Sequence, residues 1–317
     1  MAFSSEADNL HPADPDDITD IFVHDMVSNA TRLVSVITTG QKANYECEEP
    51  RISGDGAAAC WSSSANNLVP CDTGFDQDIF LRDILAGTTE MISSNAAGVQ
   101  GNGESFYPAV SYNGRFVAFE SSSSNLVPGG TSGRTLIFLK DRQSDAVTLV
   151  SRGLGGQEPN DDCWNAVISG NGRYVSYLTF ANNIVDSDMN NTADVFVWDR
   201  LLGTTIRASV STGGVEGNDE SNFPSISGDG RRVAFSSDAT NLVSGDTNSV
   251  SDIFVHFLGK GWTVRVSVSA GGQQGDSFSI FPFFAANGRH VAFQSLSTNL
   301  VEGDTNGLPD IFVASYH

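Results

Sequence analysis

Short runs in which apolar and polar residues alternate recur along the chain at a constant spacing. The segment Asp-Ile-Phe, or a near match to it, begins at residues 20, 78, 136, 194, 252 and 310, so the spacing is 58 residues throughout. In the fifth copy the runs cover residues 224–227, 232–237, 252–257 and 263–268. Val, Ile and Phe alternate there with small or polar residues, and Gly, Asn and Asp fill the breaks, which predicts antiparallel strands with tight turns. Each full repeat therefore supplies four strands, named a, b, c and d in chain order.

The turn between strands a and b carries a glycine at the same position of each repeat that contains both strands. We expect a positive φ angle there, which would disfavour a side chain. These glycines are Gly56, Gly114, Gly172, Gly230 and Gly288. Four-stranded units in series are typical of a β-propeller. The pattern predicts an all-β fold, a β-propeller of 58-residue four-stranded repeats in which strands b and c each occur six times.

A fixed repeat favours one closed array, although 317 residues would also permit two domains. We predict a single β-propeller domain over residues 1–317. Its repeats cover approximately residues 1–49, 50–107, 108–165, 166–223, 224–281 and 282–317. Because the sequence starts at a strand b and stops just after a strand c, the first and last blades are incomplete. Either the fold tolerates two three-stranded blades or the missing half-unit lies outside this sequence.

The motif S-x-D-G-R-x-V-A-F, followed by D-I-F-V, resembles the repeat of TolB-like β-propellers. The resemblance covers essentially the whole chain and implies six blades. It also implies that Asp-Gly loops of this kind can hold their turns without a metal. Because a propeller does not specify an activity, the resemblance bears on the fold far more than on the function.

The formal net charge of −21, from 38 acidic and 17 basic residues, limits the classes of partner. Such a surface repels polyanions, so we expect no nucleic-acid binding and no adhesion to anionic membranes. No apolar run reaches the ~18 residues of a membrane span, and the first residues lack the features of a signal peptide, so we expect a soluble protein without membrane insertion. Residues 1–5 align with residues 233–237, inside a repeat. The compartment is unknown, and a secreted or periplasmic location stays open if an upstream segment was removed.

The loop between strands b and c, here named the acidic loop, has the pattern D-x-[D/N]-x-x-x-D in four repeats and part of it in the second. Oxygen ligands along a polar turn suit a hard cation such as Ca²⁺. A cation would also relieve the repulsion of two carboxylates ~4 Å apart, about 4 kcal/mol at an effective dielectric constant of about 20. We therefore predict structural calcium. The predicted ligands are Asp14, Asp16, Asp20, Asp72, Asp78, Asp188, Asn190, Asp194, Asp246, Asn248, Asp252, Asp304, Asn306 and Asp310.

The third repeat has lost the whole set, since Gly130, Ser132 and Leu136 replace the three oxygen ligands. The alternative to calcium is that these side chains cap the turn by accepting backbone N–H bonds, and a generally acidic surface is a third explanation. A separate Asn persists in every repeat, including the third, so we expect it to hold the turn rather than a metal. It occurs as Asn9, Asn67, Asn125, Asn183, Asn241 and Asn299.

The repeat stops being regular just before strand a, where we expect side chains to approach the mouth of the central channel. Different residues at equivalent positions indicate an asymmetric pocket, whose aromatic walls would stack on a sugar or enclose an apolar or cationic ligand. The alternative is that the aromatics fill the wedges between blades. The predicted ligand-binding residues are Phe106, Tyr107, Trp164, Asn165, Asn222, Phe223 and Phe281. Glu48 and Glu49 hold the same position one repeat earlier and are candidate acids or bases.

Two functions fit these patterns. The first is a calcium-stabilised binding or scaffold module that recognises a small-molecule, carbohydrate or protein partner at the end of the blades carrying the long loops. The second is an enzyme of hydrolase, lyase or cyclase type that acts on a small molecule at the channel mouth, with Glu48 or Glu49 as acid or base. The spacing shows no nucleophile–base pair and no zinc site, so Glu48 and Glu49 are the only catalytic candidates.

Overall fold

The computed structural model describes residues 1–285 and 287–316, and β-strands dominate it. Within those ranges the one helical element is the short 3-10 turn Leu154–Gly156, and no helix is long and apolar enough to cross a membrane. The strands are β1 (Ala2–Ser5), β2 (Asp20–Asp25), β3 (Ala30–Leu33), β4 (Cys47–Ile52), β5 (Ala58–Ser63), β6 (Asp78–Asp83), β7 (Thr88–Met91), β8 (Ser105–Val110), β9 (Phe116–Ser121), β10 (Leu136–Asp141), β11 (Val147–Leu149), β12 (Cys163–Ile168), β13 (Tyr174–Thr179), β14 (Asp194–Asp199), β15 (Thr204–Arg207), β16 (Ser221–Ile226), β17 (Arg232–Ser237), β18 (Asp252–Phe257), β19 (Trp262–Arg265), β20 (Ser279–Phe284), β21 (His290–Ser295) and β22 (Asp310–Ser315).

The strands form six antiparallel sheets, one for each repeat. The second to fifth sheets have four strands each and comprise β4 to β7, β8 to β11, β12 to β15 and β16 to β19. The first sheet, β1 to β3, has no strand a among the described residues, and the sixth, β20 to β22, has no strand d. The predicted four-stranded repeats, with incomplete first and last copies, are confirmed.

The predicted bounds of strands b and c agree with the structure, whereas strands a and d differ. In the fifth sheet strand a is Ser221–Ile226, because the residues before Pro224 already pair with strand b. Strand d is Trp262–Arg265 rather than residues 263–268. Beyond Arg265 the chain leaves the sheet, and Val268 forms an isolated bridge to Gln274.

The chain divides into two compact units, of which the first ends at residue 150 and contains sheets one to three. In the first unit Trp61 and Phe80, on neighbouring strands b and c, stack with ring centroids 6.3 Å apart and are fully buried. In the second unit Phe235 and Phe254 form the matching pair at 5.9 Å. These aromatic pairs fill the core clusters between adjacent sheets of their unit. The single domain over residues 1–317 stays a prediction, and its last residue lies outside the described ranges.

Each strand a has an irregularity at the position predicted to line the channel mouth. In β4 the pairing with strand b shifts register between Glu48 and Arg51, and the other strands a shift at the same place. One non-glycine residue in each shift has a positive φ of 49° to 56°: Glu49, Tyr107, Asn165, Phe223 and Phe281. Their predicted place before strand a is therefore wrong, because the bulge bends the strand without ending it.

The glycines of the a–b turns have the predicted backbone conformation. Their φ angles lie between 62° and 73°, in the left-handed region that only glycine enters without strain. At Gly230 the glycine also permits close packing, because a Cβ atom there would lie 2.3 Å from Cδ2 of Tyr174 on β13 of the neighbouring sheet.

Candidate functional site

The last Asp of an acidic loop is a buried structural residue at the start of strand c. Asp252 accepts a hydrogen bond from the Ser267 hydroxyl at 2.5 Å, and that hydroxyl oxygen accepts the N–H of Ile253 at 3.0 Å. We name this arrangement the Asp–Ser clamp, and it ties strand c to the segment after strand d. The other clamps, at 2.5 to 2.6 Å, are Asp20–Ser35, Asp78–Ser93 and Asp194–Ser209. Asp310 has no clamp within the described ranges, where the sixth sheet has no strand d.

The middle side chain of the acidic loop caps its own turn. Asn190 Oδ1 accepts the N–H of Thr192 at 3.1 Å, and the Oδ1 atoms of Asp16 and Asn306 accept a bond from the residue two positions further on. These contacts are the turn caps considered as the alternative to calcium. In the fifth loop Asn248 instead donates to Asp252 at 3.1 Å and to the Gly275 carbonyl at 2.9 Å.

In the first acidic loop a side chain of the protein itself takes the place predicted for the cation. Lys42 Nζ lies 2.9 Å from Asp14 Oδ1, 2.5 Å from Asp16 Oδ1 and 2.6 Å from Asp20 Oδ2. Burial opposes the charged ammonium, yet hydrogen bonds to the three carboxylates hold the pKa of Lys42 above its usual value. The ammonium therefore balances part of the loop's negative charge.

The fourth and fifth acidic loops are balanced by an arginine from strand d. Arg265 Nη1 lies 3.1 Å from Asp246 Oδ1 and 3.2 Å from Asp252 Oδ2. Arg207 stands at the same position of the preceding repeat. The acidic side chains that it contacts are Asp188, Asp194 and Glu216.

The second acidic loop uses an amide in place of a cation. Gln100 Nε2 donates to Asp72 Oδ1 at 3.1 Å and to Asp78 Oδ2 at 2.7 Å. Because burial disfavours the charged carboxylate, the pKa of Asp78 is raised to about 6. In the sixth loop Asn306 Nδ2 donates to Asp310 Oδ2 at 3.0 Å.

The sequence interpretation missed these internal donors, although a signal was present. Lys42 and Gln100 share one position of the repeat, which falls 22 residues after the last Asp of the loop. At the strand-d position, arginine appears as Arg207 and Arg265, whereas the first three repeats have Leu33, Met91 and Leu149 there. The donor to the loop thus comes from the Lys42 and Gln100 position in the first two repeats and from strand d in the fourth and fifth.

Two groups of carboxylates lie close enough together to hold a metal ion. One comprises Asp14, Asp16 and Asp20, and the other comprises Asp188, Asp194 and Glu216, with ligand oxygens within 4.8 Å of one another in each group. Their oxygen donors suit a hard cation, but Lys42 or Arg207 already contacts each group. Glu216 was not predicted. The second, fifth and sixth loops each have two predicted carboxylate ligands, fewer than the three that converge in these groups.

The recurrent Asn was predicted to hold its own turn, but its side chain holds the loop against the segment that precedes strand a. Asn67 Oδ1 accepts the N–H of Asn44 at 3.1 Å, and its Nδ2 donates to the carbonyl of Lys42 at 2.9 Å. The same two contacts recur for Asn125, Asn183, Asn241 and Asn299.

In the first unit, the predicted mouth residues gather around the side chain of Glu49. Its Oε2 accepts the backbone N–H of Tyr107 at 2.6 Å and the Ser62 hydroxyl at 3.0 Å, and burial raises the pKa of Glu49. Glu48 is exposed. Glu49 therefore joins the bulge of β8 to the second sheet.

A second acidic side chain, Glu120 on β9, was missed near the same bulge. It is buried and stands opposite Phe106 in the strand register. The negative charges of Glu49 and, more weakly, Glu120 raise the pKa of Tyr107, together with burial. From the sequence alone, one Glu within a strand cannot be assigned either to a functional site or to the core.

In the second unit, three of the predicted mouth residues form aromatic pairs. Phe223 and Phe281 meet edge to face with centroids 4.4 Å apart, and they are 37% and 50% exposed. Trp164 packs edge-on against Phe180, which was not predicted, at 6.2 Å. A single pocket formed by all seven predicted residues stays a prediction.

Removing the clamp carboxylate is expected to destabilise the protein only where the clamp exists. Asp252→Asn removes one of the two carboxylates paired with Arg265 and the charged acceptor of the Ser267 hydroxyl, so we expect a loss of about 1.5–3 kcal/mol in the free energy of unfolding. Asp310→Asn, at the same repeat position, is the control and should change stability by less than about 0.5 kcal/mol. Urea unfolding measures both, and equal losses would contradict the structural role of the clamp.

The raised pKa of Asp78 predicts a specific dependence of stability on pH. Its pKa rises from 3.8 in the unfolded chain to about 6 in the folded one, so the folded state binds the proton more tightly. The contribution to stability is full below pH 3.8 and is lost as the pH rises through 6, by at most about 3 kcal/mol. In EDTA buffer, wild-type stability should therefore fall across this interval more than that of Asp78→Asn. Parallel profiles would refute the assignment.

No protein-family model and no curated protein matches this chain. Among solved structures, the β-propeller domain of the trilobed protease from Pyrococcus furiosus, reported with an open velcro topology, matches with a TM-score of 0.54 and 13% identity over 98% of this chain and 78% of that one. A protein assigned as TolB from Agrobacterium tumefaciens matches with a TM-score of 0.50 and 16% identity over 93% of this chain and 89% of that one. For TolB from Acinetobacter baumannii the values are 0.47 and 15%, over 94% of this chain and 60% of that one.

This chain thus spans less than two thirds of the Acinetobacter protein. At such identities the likeness concerns the fold alone. Six antiparallel sheets of three or four strands, together with the Pyrococcus and Agrobacterium matches, define the architecture. The chain has the fold of a TolB-like β-propeller.

Proposed function

We propose that this chain is a binding module that engages a basic partner carrying aromatic or apolar side chains. The observation that carries the proposal is the exposed pair Phe223 and Phe281, with centroids 4.4 Å apart. Large apolar groups that stay exposed side by side are typical of interaction sites, and such rings can also contact a cation.

The bulges support this interpretation, because they hold both aromatic residues in a costly backbone conformation. A left-handed φ costs a non-glycine residue about 1–2 kcal/mol, and Phe223 and Phe281 have φ of 51° and 55°. The bulge of β16 also lies next to an acidic loop, since the N–H of Ser221 donates to the Ala193 carbonyl, beside Asp194, at 2.8 Å. The strand that carries Phe223 is therefore anchored beside the fourth acidic loop.

The charge of the acidic loops favours a basic partner. Lys42, Arg207 and Arg265 are engaged within the loops, so they offer little attraction to an anion from outside. With a net charge of −21, the field around the protein would accelerate the approach of a cationic surface, and added salt would screen that attraction.

The contacts of Glu49 favour a binding module over an enzyme. Its Oε2 already accepts the Tyr107 N–H and the Ser62 hydroxyl, which suits a group that fixes the neighbouring strand. Glu48 is exposed.

Calcium forms part of the proposal at the first and fourth acidic loops, where three carboxylates converge. Asp14, Asp16 and Asp20 would hold it in the first, in competition with Lys42. In the remaining loops Asp78 and Asp252 serve as clamps, Asn306 as a cap, Asp72 as an amide partner and Asp246 as an ion-pair partner. Calcium would supply structural charge balance and no chemistry.

Replacing Lys42 is expected to increase the response to calcium. Lys42→Gln leaves three carboxylates without their ammonium, so millimolar Ca²⁺ should raise its melting temperature more than that of the wild type. Calcium at tenfold its Kd stabilises by about 1.4 kcal/mol, or roughly 2–6 °C for a protein of this size. Asp16→Asn in the Lys42→Gln background is the control and should reduce the gain. If calcium changes neither midpoint, the metal part of the proposal fails and the binding module stands.

The aromatic pair is tested by selecting a phage-displayed random peptide library on the wild-type protein. We expect basic peptides with aromatic residues, whose affinity falls as salt rises. Phe223→Ala combined with Phe281→Ala should weaken them at least tenfold, since aromatic pairs add about 0.5–1.5 kcal/mol each beyond their buried area. Tyr112→Ala, an exposed aromatic at an a–b turn, is the control and should leave binding unchanged. Recovery of no peptides, or unchanged affinity for the double variant, would overturn the proposal.

A further inference from the structure

Comparison of the repeats identifies an arginine whose carboxylate partner has been replaced. In the third sheet Arg115 Nε and Nη2 donate to Asp141 Oδ1 and Oδ2, both at 2.8 Å. In the fourth sheet Arg173 makes the same two-point pair with Asp199, at 2.9 and 2.6 Å. Each pair joins the a–b turn to the end of strand c, and the geometry is that of a planar guanidinium matched to a carboxylate.

The fifth sheet keeps the arginine and loses the acid. Arg231 stands 58 residues after Arg173, and Phe257 stands 58 residues after Asp199. The side chain of Arg231 is exposed, and the hydrogen bonds of Arg231 in the described part of the chain all involve its backbone: the N–H donates to Ser227 and Asp229, and the carbonyl accepts the N–H of Leu258. The guanidinium of Arg231 therefore lacks the carboxylate that accepts two hydrogen bonds from the equivalent arginine in the third and fourth sheets.

This guanidinium borders a cleft in the second unit, between the fourth and fifth sheets at the end with the short turns. The cleft has a volume of about 650 Å³, within the range of small-molecule sites. Its apolar lining includes Leu202, Ile206 and Phe257. Leu202 is 68% exposed and Ile206 is 45% exposed, so apolar surface is available to a ligand.

The charges around the cleft favour an anion. Arg231, Arg232 and Lys260 line it, and its one lining carboxylate, Asp199, is engaged by Arg173. Asp229, next to the cleft, balances part of this charge through an ion pair with Arg232 at 3.6 Å, which leaves Arg231 and Lys260 as the cations for a ligand. A cluster of three cations is notable in a chain with 17 basic and 38 acidic residues. The cleft thus carries mainly positive charge, whereas the acidic loops at the other end of the same sheets carry carboxylates.

At the equivalent position of the first unit, between the second and third sheets, two charged side chains pair with each other. Ile206 corresponds to Glu90 and Leu258 corresponds to Arg142, each 116 residues earlier, which is two repeats of 58. Glu90 and Arg142 form an ion pair at 2.6 Å. Their replacement by Ile206 and Leu258 removes that ion pair and supplies apolar walls instead.

We propose that this cleft binds a small amphiphilic carboxylate. The carboxylate takes the two-point position on Arg231 that Asp141 and Asp199 occupy in the preceding sheets, and Lys260 adds positive potential. The alkyl or aryl body lies on Leu202, Ile206 and Phe257. This site is separate from the aromatic pair and the acidic loops, so it does not depend on the function proposed for them.

The proposal is tested by calorimetric titration of the wild-type protein with octanoate, at low salt and below its micellar concentration. We expect binding at one site, with octanol at least tenfold weaker because it offers no charge to the guanidinium. Octyl phosphate separates a carboxylate site from a general anion site, and we expect it to bind no more tightly than octanoate. Absence of octanoate binding, equal binding of octanol, or tighter binding of octyl phosphate would overturn the proposal.

Three variants locate the site. Arg231→Gln should weaken octanoate about tenfold or more, and Phe257→Asp should abolish binding by restoring an internal partner for Arg231. Arg289→Gln is the matched control, since Arg289 holds the same repeat position in the sixth sheet and does not line the cleft. Arg231→Gln changes an exposed side chain and should keep the wild-type melting temperature, which separates loss of the site from loss of the fold. Unchanged affinity in Arg231→Gln, or an equal loss in Arg289→Gln, would refute the assignment.

Discussion

Much of the remaining structure depends on the hydrogen bond that a buried carboxylate at the start of strand c accepts from a serine. The carboxylate anchors strand c to the segment after strand d through this serine, as in Asp252 and Ser267, and its desolvation must be offset locally. The repeats meet this requirement in different ways, with an ammonium at Lys42, an amide at Gln100 or a guanidinium at Arg265. The third repeat removes the requirement with Leu136. Much of the variation around the acidic loops is thus electrostatic compensation within the chain.

The fold was largely predictable because its determinants are local and repeated. The strand alternation and the turn glycines, such as Gly230, each lie within a few residues of the structure that they specify. The candidate site was only partly predictable. Lys42 lies 28 residues from Asp14 along the chain, and Glu49 lies 58 residues from Tyr107, so their contacts depend on how strands and sheets pack. Oxygen-rich turns such as that of Asn190 also cannot be assigned from spacing, because a cap and a metal ligand require the same residue types.

The two ends of the sheets carry opposite chemistry in the second unit. One end has the acidic loops and the exposed pair Phe223 and Phe281, and the other has the cleft beside Arg231. A repeat can diverge in this way because each sheet supplies its own hydrogen bonds and its own share of the core, so a change in one connection leaves the neighbouring sheets intact. Arg231 is one example. The fifth sheet has this arginine, as the fourth has Arg173, but Phe257 stands at the position of Asp199.

The bulge in strand a has a consequence for how such a protein can acquire new ligands. The unusual backbone conformation recurs with glutamate, tyrosine, asparagine and phenylalanine, so no particular side chain is needed to form it. The strand pairing on either side of the bulge therefore holds whichever residue occurs there in a similar backbone conformation. Apart from Glu49, whose carboxylate joins two sheets, mutations at these places would therefore explore different recognition chemistries on one backbone, much as variable loops do on an antibody framework.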